Sequence, residues 1–233
     1  MNKRIISYPT FFKPYLKLNL NHINFPTHLS VKFRSSFNRL PLDPYIDDNS
    51  RNSRYGNYKV IKINDQFPEF NVNHTGKIIY KQNVEDSRRE YREFKLLENP
   101  LDPFVIEYIK YISRLLNYSN PFKELNIDLH QVRQIVYPET HSHNSPEGIH
   151  KDGSDFVVPA LVFHRFNIRG GMSYIYDNDK NEIYKCLLER YDFTFMNDKD
   201  LYHYVSPIEY YRSDGLEEYG YRDLLGLDIH IIE

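Results

Sequence analysis

Two residues near the middle of the sequence have the types and the spacing needed to hold a metal ion. His150 and Asp152 stand two residues apart within the segment Glu147–Gly153. Because side chains alternate between the two faces of a β-strand, residues i and i+2 point the same way, and this imidazole and this carboxylate could grip one ion together. Neutral imidazole and ionised carboxylate, the forms that coordinate a metal, are both available near neutral pH. The pair is therefore a candidate part of a metal site.

A third ligand is predicted at His203, which lies in a short apolar and aromatic segment, residues 200–205, typical of a strand. Two histidines and one carboxylate on one side of an ion leave three coordination positions open, as in non-haem Fe(II) oxygenases. A His-x-Asp sequence arises often by chance, and a polar surface strand or turn is the alternative interpretation. The metal site is favoured by Pro146-Glu147-Gly148, which indicates a specially shaped backbone before the motif, and by the predicted strands that separate Asp152 from His203.

Arg222 begins the last apolar segment and could serve the same chemistry. If 2-oxoglutarate chelates the iron, its far carboxylate needs a cation inside the barrel, and the planar fork of arginine meets a carboxylate with two hydrogen bonds. Two alternating sets follow in this segment: Asp223, Leu225, Leu227, Ile229 and Ile231, and Arg222, Leu224, Gly226, Asp228 and His230. The first set is predicted to face helices and the second the cavity. The alternative is a surface arginine paired with Asp223 or Asp228.

Gln131 and Arg133 share a strand face with Leu129 and Ile135. Polar groups that point into a barrel are costly unless they bind something. We therefore predict that Gln131 and Arg133 line the pocket and contact the cosubstrate or a substrate carboxylate. The alternative is that this face is the outer one.

Composition indicates a soluble globular protein. The chain has 233 residues, of which 40% are hydrophobic and 27% charged, enough for a packed core in one large domain. The formal net charge of -2 gives no broad electrostatic reason to bind nucleic acid or an anionic membrane. The one cysteine, Cys186, allows no internal disulfide and fits a reducing compartment. Neither a signal peptide nor a membrane-length apolar run is apparent, so we expect a cytoplasmic location.

The first half of the chain is predicted to contain the helices. Prolines punctuate residues 1–50, which predicts short strands or a wrapping arm. Apolar residues at helical spacing predict a helix over 84–97. Asp102 can cap a second helix, whose first position suits Pro103 and whose end is marked by Asn120-Pro121.

From about residue 126 the apolar pattern has a period of two, which is typical of strands. Strands are predicted over 127–136, the His-x-Asp segment, 156–167, 172–176, 191–196, 201–206 and 221–232. Several short strands separated by turns indicate a jelly roll or barrel. The prediction is one domain over 1–233, mainly β, with a helix-containing part at about 1–125 and a jelly-roll core at about 126–233.

Several segments resemble the bacterial 2-oxoglutarate/Fe(II) dioxygenases typified by L-isoleucine 4-hydroxylase. In order, they are Leu129–Arg133, Pro146–Val158, Gly170-Gly171, His203–Ile208 and Tyr221–Asp223. The likeness extends through roughly residues 126–231, and before that only Arg54-Tyr55 and its surroundings are similar. At Ala160, relatives often carry a histidine, which puts in doubt any contact expected there; His164 could replace it only with a different strand register.

The resemblance implies a double-stranded β-helix, cupin-like and buttressed by N-terminal helices. It implies an enzyme that uses Fe(II), 2-oxoglutarate and O2 to hydroxylate a free L-amino acid at an unactivated carbon, with release of succinate and CO2. His150, Asp152 and His203 would then be the catalytic metal ligands and Arg222 the 2-oxoglutarate anchor. Asp152 favours hydroxylation over halogenation, because a halide needs the coordination position that the carboxylate occupies.

Substrate contacts are predicted from charge. A free amino acid presents a carboxylate, which Arg54 or Arg133 could bind, and an ammonium, which Asp155 could bind. Tyr55 could close the pocket. The partner is thus a small molecule; the oligomeric state is left open, with a homodimer as one option.

Two other functions remain open. One is a non-enzymatic β-sandwich sensor of 2-oxoglutarate or an amino acid. The other is a cupin-like metalloenzyme that works without 2-oxoglutarate, with zinc held by a cluster of His141, His143 and His150. Arg222 favours the oxygenase over the zinc enzyme, because a zinc hydrolase has no need of a buried cation there.

Overall fold

The computed structural model describes residues 14–46, 50–66, 68–76, 79–81, 91–211 and 218–232, and most of them lie in strands. The strands are β1 (Tyr15–Asn19), β2 (Arg51–Lys62), β3 (Phe70–His74), β4 (Ile79–Lys81), β5 (Tyr91–Glu93), β6 (Glu124–Val136), β7 (His141–Ser142), β8 (Phe156–Phe166), β9 (Ile168–Gly170), β10 (Met172–Tyr176), β11 (Glu182–Leu187), β12 (Asp192–Asn197), β13 (Tyr202–Val205), β14 (Ile208–Tyr210) and β15 (Gly220–Ile232). The prediction of a mainly β protein is confirmed.

Two α-helices, α1 (Ser30–Ser35) and α2 (Pro103–Ser119), precede most of the strands. The predicted start of α2 is confirmed, since the side chain of Asp102 accepts a hydrogen bond from the backbone N–H of Phe104 at 2.9 Å. The helix predicted over 84–97 is wrong where the structure describes it, because β5 occupies part of that range; residues 82–90 lie outside the described residues. Neither helix of the described chain has the length and hydropathy of a membrane span.

The strands pair antiparallel in one large and several small sheets. The large sheet has the order β1-β12-β8-β15-β6-β2-β3, and the small sheets have the orders β11-β10-β13, β7-β14-β9 and β4-β5. β6 and β15 run beside each other over 13 residue pairs at the centre of the large sheet. These two long strands therefore form the platform on which the cavity described below is built.

The large sheet has one face against the helices and one face against the small sheets. On the helix side, Tyr108 and Ile112 of α2 pack in one buried cluster with Leu129 of β6 and Leu227 of β15. We call the opposite face the inner face. There the side chains of the large sheet pack against the small sheet β11-β10-β13, as Met196 does against Ile175. This arrangement of helices, large sheet and small sheets is consistent with the jelly-roll fold that the sequence predicts.

Alternation along the central strands assigns their side chains to these two faces. In β15, Leu225, Leu227 and Ile229 join the helix-side cluster, whereas Leu224 and Gly226 line a cavity on the inner face. The face assignment predicted for this strand is therefore correct. The helix side is largely apolar because it forms the main hydrophobic core, although Gln131, Arg133 and Asp223 of the central strands also lie there.

Candidate metal centre

Three side chains that are distant in sequence converge at the inner face. One ligand atom each of His150, Asp152 and His203 lies within 4.8 Å of the other two. Asp152 Oδ1 is 3.4 Å from His150 Nε2, and Asp152 Oδ2 is 3.4 Å from His203 Nε2. One carboxylate thus faces both imidazoles, and a single ion between them could bind all three groups. Two nitrogens and one oxygen are a donor set that suits Fe(II).

The main chain holds the two histidines side by side. The backbone N–H of His150 donates to the carbonyl of His203 at 3.1 Å, and that of His203 donates to the carbonyl of His150 at 2.9 Å. The Nδ1 of His150 lies 2.9 Å from the carbonyl oxygen of Gly148, which can only accept, so Nδ1 carries a proton and Nε2 points to Asp152. A second hydrogen bond of this kind orients a ligating imidazole in many metal sites.

Asp152 does not lie on a strand, contrary to the reasoning that first paired it with His150. His150 forms an isolated bridge with His203, and the chain then turns at Gly153, whose φ is 85°. The carboxylate of Asp198 holds this turn, because it accepts backbone N–H groups from Asp152 at 3.2 Å, Gly153 at 2.7 Å and Ser154 at 3.0 Å. Asp198 therefore fixes the position of Asp152, and sequence reasoning missed it.

The three side chains of the cluster differ in their pKa values and charges. Burial opposes the ionisation of Asp152, but His203 and His150 outweigh it and lower the pKa of this carboxyl below its usual value. Burial lowers the pKa of His203 to about 4, so this imidazole is neutral at pH 7. Burial also disfavours a charged His150, yet the hydrogen bond and charge of Asp152 raise the pKa of His150 to about 9. In the metal-free protein, His150 thus carries the positive charge that a bound cation would supply.

A cavity of about 130 Å³ opens beside the three side chains. Its walls include Arg51, Tyr55, His130, Glu147, Leu224 and Asp228. The ring of Tyr55 stacks on Phe94, with centroids 3.7 Å apart, and these two aromatic side chains form one wall. His130 Nε2 lies 3.1 Å from a carboxylate oxygen of Asp228, so these two groups are in contact within the cavity. The space suits a small molecule with polar groups.

Arg222 lies on the inner face, two residues from Leu224, and is only 1% exposed. Its Nη1 donates to the carbonyl of Gly171 at 3.1 Å and its Nη2 to Gln134 Oε1 at 2.9 Å, while its buried Nε has no hydrogen-bond partner. Within the described part of the chain, no carboxylate forms an ion pair with it. Burial, helped by the nearby Arg165, lowers the pKa of Arg222 to about 9, so the group is still a cation at neutral pH.

A row of polar side chains crosses four strands at this end of the inner face. Arg51 is the register partner of Gln134, Gln134 of Arg222, and Arg222 of Arg165. The Nη1 atoms of Arg222 and Arg165 would lie 2.6 Å and 3.2 Å from a Cβ placed on Gly171, so the glycine backbone fits closely against both. Two adjacent guanidinium groups with unpartnered buried nitrogens, Arg222 Nε and Arg165 Nη1, fit a carboxylate such as that of 2-oxoglutarate.

The prediction that Gln131 and Arg133 line the pocket is wrong, because both lie on the helix side. Gln131 Nε2 donates to Ser36 Oγ at 2.7 Å. Arg133 holds Asp223 with two hydrogen bonds, of 2.7 Å and 2.8 Å. Both polar side chains have hydrogen-bond partners in the N-terminal segment or on the neighbouring strand. Their burial therefore does not require a bound ligand.

Of the other predicted substrate contacts, Tyr55 alone lines the cavity. Arg54 is the register partner of Gln131, so it lies on the helix side, where its Nη1 donates to the carbonyl of Leu96 at 2.8 Å. Asp155 accepts the backbone N–H of Ile231 at 2.6 Å and pairs with Lys199, outside the cavity. The structure therefore does not bring Arg54 and Asp155 to this cavity.

The remaining histidines do not extend the cluster. Ala160 is 2% exposed and packs among apolar side chains, and His164 is exposed, with its Nδ1 2.9 Å from the Tyr221 hydroxyl. His141 is likewise exposed and lies near Glu209, and His143 is exposed too. The described structure thus does not assemble a zinc site from His141, His143 and His150.

Solved structures of similar fold cover nearly the whole chain. A bsmA homolog from Methylobium petroleophilum PM1 superposes with a TM-score of 0.79 at 18% identity over 94% of this chain and 89% of its own. IDO from Bacillus thuringiensis gives 0.71 at 18% identity over 95% and 91%. The Fe(II)/α-ketoglutarate-dependent dioxygenase TqaL gives 0.63 at 12% identity over 94% and 83%. At these identities the likeness shows the fold alone.

A search of curated proteins finds no match. A family model described as 2OG-Fe dioxygenase matches residues 34–228, a span that includes His150, Asp152, His203 and Arg222. The chain therefore belongs to the 2OG-Fe dioxygenase family, whose members use Fe(II), 2-oxoglutarate and O2.

Proposed function

We propose that this protein is an Fe(II)- and 2-oxoglutarate-dependent dioxygenase that hydroxylates a free L-amino acid, or a close derivative, at an unactivated carbon. The observation that carries the proposal is the pairing of two features in one inner face: the cluster of His150, Asp152 and His203, and the buried Arg222 that lacks a carboxylate partner among the described residues. A buried arginine with only a structural role is expected to pair with a carboxylate of the protein, because an unpaired buried charge is costly.

The residues of the cluster would have different roles in metal binding. His150, Asp152 and His203 would hold the iron from one side, and Asp198 would keep the turn that carries Asp152 in place. Once bound, Fe(II) with 2-oxoglutarate and O2 supplies the oxidation that places a hydroxyl group on carbon, with succinate and CO2 as the other products. Retention of Asp152 as a ligand favours hydroxylation over halogenation.

The cosubstrate would be oriented by the cationic end of the inner face. Arg222 would take the far carboxylate of 2-oxoglutarate with its guanidinium, and Arg165 would add a second positive charge beside it. Gln134 keeps Arg222 in position, because it accepts from Arg222 and its own Nε2 donates to the carbonyl of Ser142 at 2.8 Å. Tyr55 and Phe94 would exclude water on the substrate side.

The amino-acid part of the proposal rests on two supports. The five segments that resemble the isoleucine 4-hydroxylase type span the metal and arginine positions. The cavity also presents charges of both signs to a small molecule, with Arg51 and Glu147 among its lining residues.

The test is turnover of a defined mixture. Purified protein is incubated with Fe(II), 2-oxoglutarate, O2 and the twenty standard L-amino acids, and succinate release is measured together with mass spectrometry for the gain of one oxygen atom. We expect both signals with the wild type and neither with Asp152→Ala, which should retain the far-ultraviolet circular dichroism of the wild type. Tight binding of 2-oxoglutarate without succinate release would instead indicate the sensor.

A further inference from the structure

Basic side chains cluster on the helix side of the large sheet, opposite the metal cavity. They belong to Arg34 of α1, Arg190 in the turn before β12, and His164 of β8. The Tyr191 hydroxyl lies 2.6 Å from Ser30 Oγ, and Arg190 Nη2 donates to this hydroxyl at 3.2 Å. Because Ser30 and Arg34 are one helical turn apart, they lie on the same face of α1. Arg34 and Arg190 are therefore neighbours at Tyr191.

Neither of these two arginines has a carboxylate partner in the described part of the chain. The guanidinium of Arg34 forms no hydrogen bond or ion pair there, and its Nε is buried without a hydrogen-bond partner. The guanidinium of Arg190 has Tyr191 as its polar partner, and its Cζ also lies 4.9 Å from the centroid of that ring. Two neighbouring guanidinium groups repel each other and keep N–H donors open, so this arrangement favours a bound anion.

The acidic side chains near the cluster do not neutralise these arginines. Asp223 is held by a different arginine, Arg133, with two hydrogen bonds of 2.7 Å and 2.8 Å. Glu189 precedes Arg190 in the sequence, but within the described ranges it forms no ion pair. The cluster therefore keeps an excess of positive charge.

The positive charge affects the neighbouring side chains. Tyr191 is 6% exposed, and burial raises the pKa of its hydroxyl, but hydrogen bonds and the charges of Arg190 and Arg34 outweigh burial and lower this pKa. The pKa of His164 is lowered by burial first; Asp223 opposes this effect, and the charges of three arginines add to it.

Aromatic side chains adjoin the cluster on the same side of the sheet. His164 Nδ1 lies 2.9 Å from the Tyr221 hydroxyl. The ring centroids of Phe166 and Tyr219 lie 5.3 Å and 6.1 Å from that of Tyr221, and Arg133 Cζ lies 4.1 Å from the same ring. Tyr219 is the most open of the three rings, at 37% exposed. An open aromatic ring beside unpaired arginines is the combination with which proteins bind a nucleotide base and its phosphate.

This cluster is distinct from the site proposed for 2-oxoglutarate. Side chains alternate along β8 and β15, so Arg165 and Arg222 point to the inner face, whereas His164 and Tyr221 beside them point to the helix side. A ligand on the helix side would therefore not displace 2-oxoglutarate.

We propose that Arg34, Arg190 and His164 bind the phosphate group of a nucleoside monophosphate, whose base stacks on Tyr219. This second site lies outside the metal centre and does not rest on the proposed function. A phosphate group offers negative charge and several acceptor oxygens to the two guanidinium groups, and the base offers a flat ring to the exposed tyrosine. A simple carboxylate would use the arginines and leave the aromatic ring without a contact.

The test is calorimetric titration of the full chain with adenosine monophosphate, ribose 5-phosphate and adenosine, in phosphate-free buffer of low ionic strength. We expect the mononucleotide to bind at least about 10-fold more tightly than either fragment, because each fragment lacks one of the two contacts. Added salt should weaken binding of the two phosphate compounds and leave that of adenosine nearly unchanged. The affinity for the mononucleotide should persist when 2-oxoglutarate is present and in Arg222→Met.

Single substitutions separate the two contacts. Arg34→Gln and Arg190→Gln should each weaken binding of the mononucleotide and of ribose 5-phosphate about 10-fold. Tyr219→Ala should weaken the mononucleotide by a similar factor and leave ribose 5-phosphate unchanged. Two control variants should keep the wild-type affinities. Arg169→Gln removes an exposed arginine that already has a carboxylate partner at 2.6 Å, and Tyr118→Ala removes a tyrosine of α2 that is 61% exposed.

Several results would overturn the inference. One is the absence of mononucleotide binding, and another is equal affinity for the mononucleotide and ribose 5-phosphate. Unchanged affinity in both Arg34→Gln and Arg190→Gln would place the ligand elsewhere. Displacement by 2-oxoglutarate, together with loss of binding in Arg222→Met, would assign the ligand to the metal centre. A single-stranded oligoadenylate that bound far more tightly than the mononucleotide would make this face a nucleic-acid surface instead. If circular dichroism shows that one arginine variant does not fold, the other variant and the fragment series on the wild type decide the matter.

Discussion

Replacement of Arg222 by methionine separates a binding arginine from a structural one. Burial and Arg165 lower the pKa of Arg222 from 12.5 to about 9, which corresponds to roughly 5 kcal/mol of destabilisation of the charged form in the folded protein. Arg222→Met removes this destabilisation. It also leaves the carbonyl of Gly171 and Gln134 Oε1 without a donor, at a cost of about 1–3 kcal/mol each. The opposing effects are of similar size.

We therefore expect the free energy of unfolding of Arg222→Met, measured by urea denaturation without 2-oxoglutarate, to lie within about 2 kcal/mol of the wild-type value. The affinity for 2-oxoglutarate should fall far more. Loss of one partner of a buried charged pair costs about 2–5 kcal/mol, or roughly 30-fold to several thousand-fold in Kd. Anaerobic titration calorimetry with Fe(II) present measures this change.

Arg133→Met provides the contrast, because Arg133 has its carboxylate partner in Asp223, which is 4% exposed. Loss of this arginine should destabilise the protein by about 3 kcal/mol and leave 2-oxoglutarate affinity unchanged. The reasoning is refuted if Arg222→Met behaves like Arg133→Met, with a large loss of stability and normal affinity for 2-oxoglutarate.

Other expectations address the supports of the site and the fold. Gly171→Ala should lower 2-oxoglutarate affinity at least 10-fold, since its φ is 70° and a Cβ would lie 2.6 Å from Arg222 Nη1; calorimetry with unchanged affinity would contradict this. Asp198→Ala should weaken Fe(II) binding about 10- to 100-fold without removing any ligand, as a metal titration would measure, and it should leave the helix-side core intact. Burial opposes the ionisation of Asp192, but hydrogen bonds from Asn19, the Glu189 N–H and Lys17 lower the pKa of this carboxyl. Its ionised form therefore stabilises the folded protein above pH about 4, and this stabilisation is lost as the pH falls through the folded-state pKa. Asp192→Asn should thus be less stable than the wild type by about 1–3 kcal/mol at pH 7, and urea denaturation should show this difference shrinking in acid.

The parts of the structure with local signals could be predicted from the sequence. The helix α2 could be predicted because Asp102 caps it and Pro103 occupies its first position. Strands β6, β8, β10, β12, β13 and β15 follow from alternation and turns, whereas β7, β9, β11 and β14 were not predicted. The three clustered side chains follow from residue type and order. The helix and these strands are each determined by a few neighbouring residues, so no knowledge of the packing is needed for them.

The face of β6 could not be predicted with the same ease, because alternation defines two faces without saying which one is covered by helices. Leu129 proves to lie in the helix-side core, which places Gln131 and Arg133 there as well. The register with β15 contains the answer, since Gln134 lies opposite Arg222. Had the two strands been paired first, the assignment made for Arg222 would have placed Gln134, and not Gln131, on the inner face.

Long-range contacts explain the other omissions. Asp198 reaches the turn at Gly153 across 45 residues, and nothing in its own neighbourhood marks it. Arg51 begins β2, and its position on the inner face follows from the pairing of residues 51–61 with β6. The helix expected over 84–97 fails at β5, where strand pairing overrides helical spacing.

The reciprocal backbone hydrogen bonds between His150 and His203 have a practical consequence for handling the protein. They hold the imidazoles together through the main chain, and the aspartate-bound turn next to them sets the carboxylate, all without an ion. Iron then binds to a site that is already formed, whereas zinc fingers fold only when they bind their metal. Material stripped by a chelator should stay folded and regain its catalytic competence as soon as ferrous salt is returned, with no need for refolding.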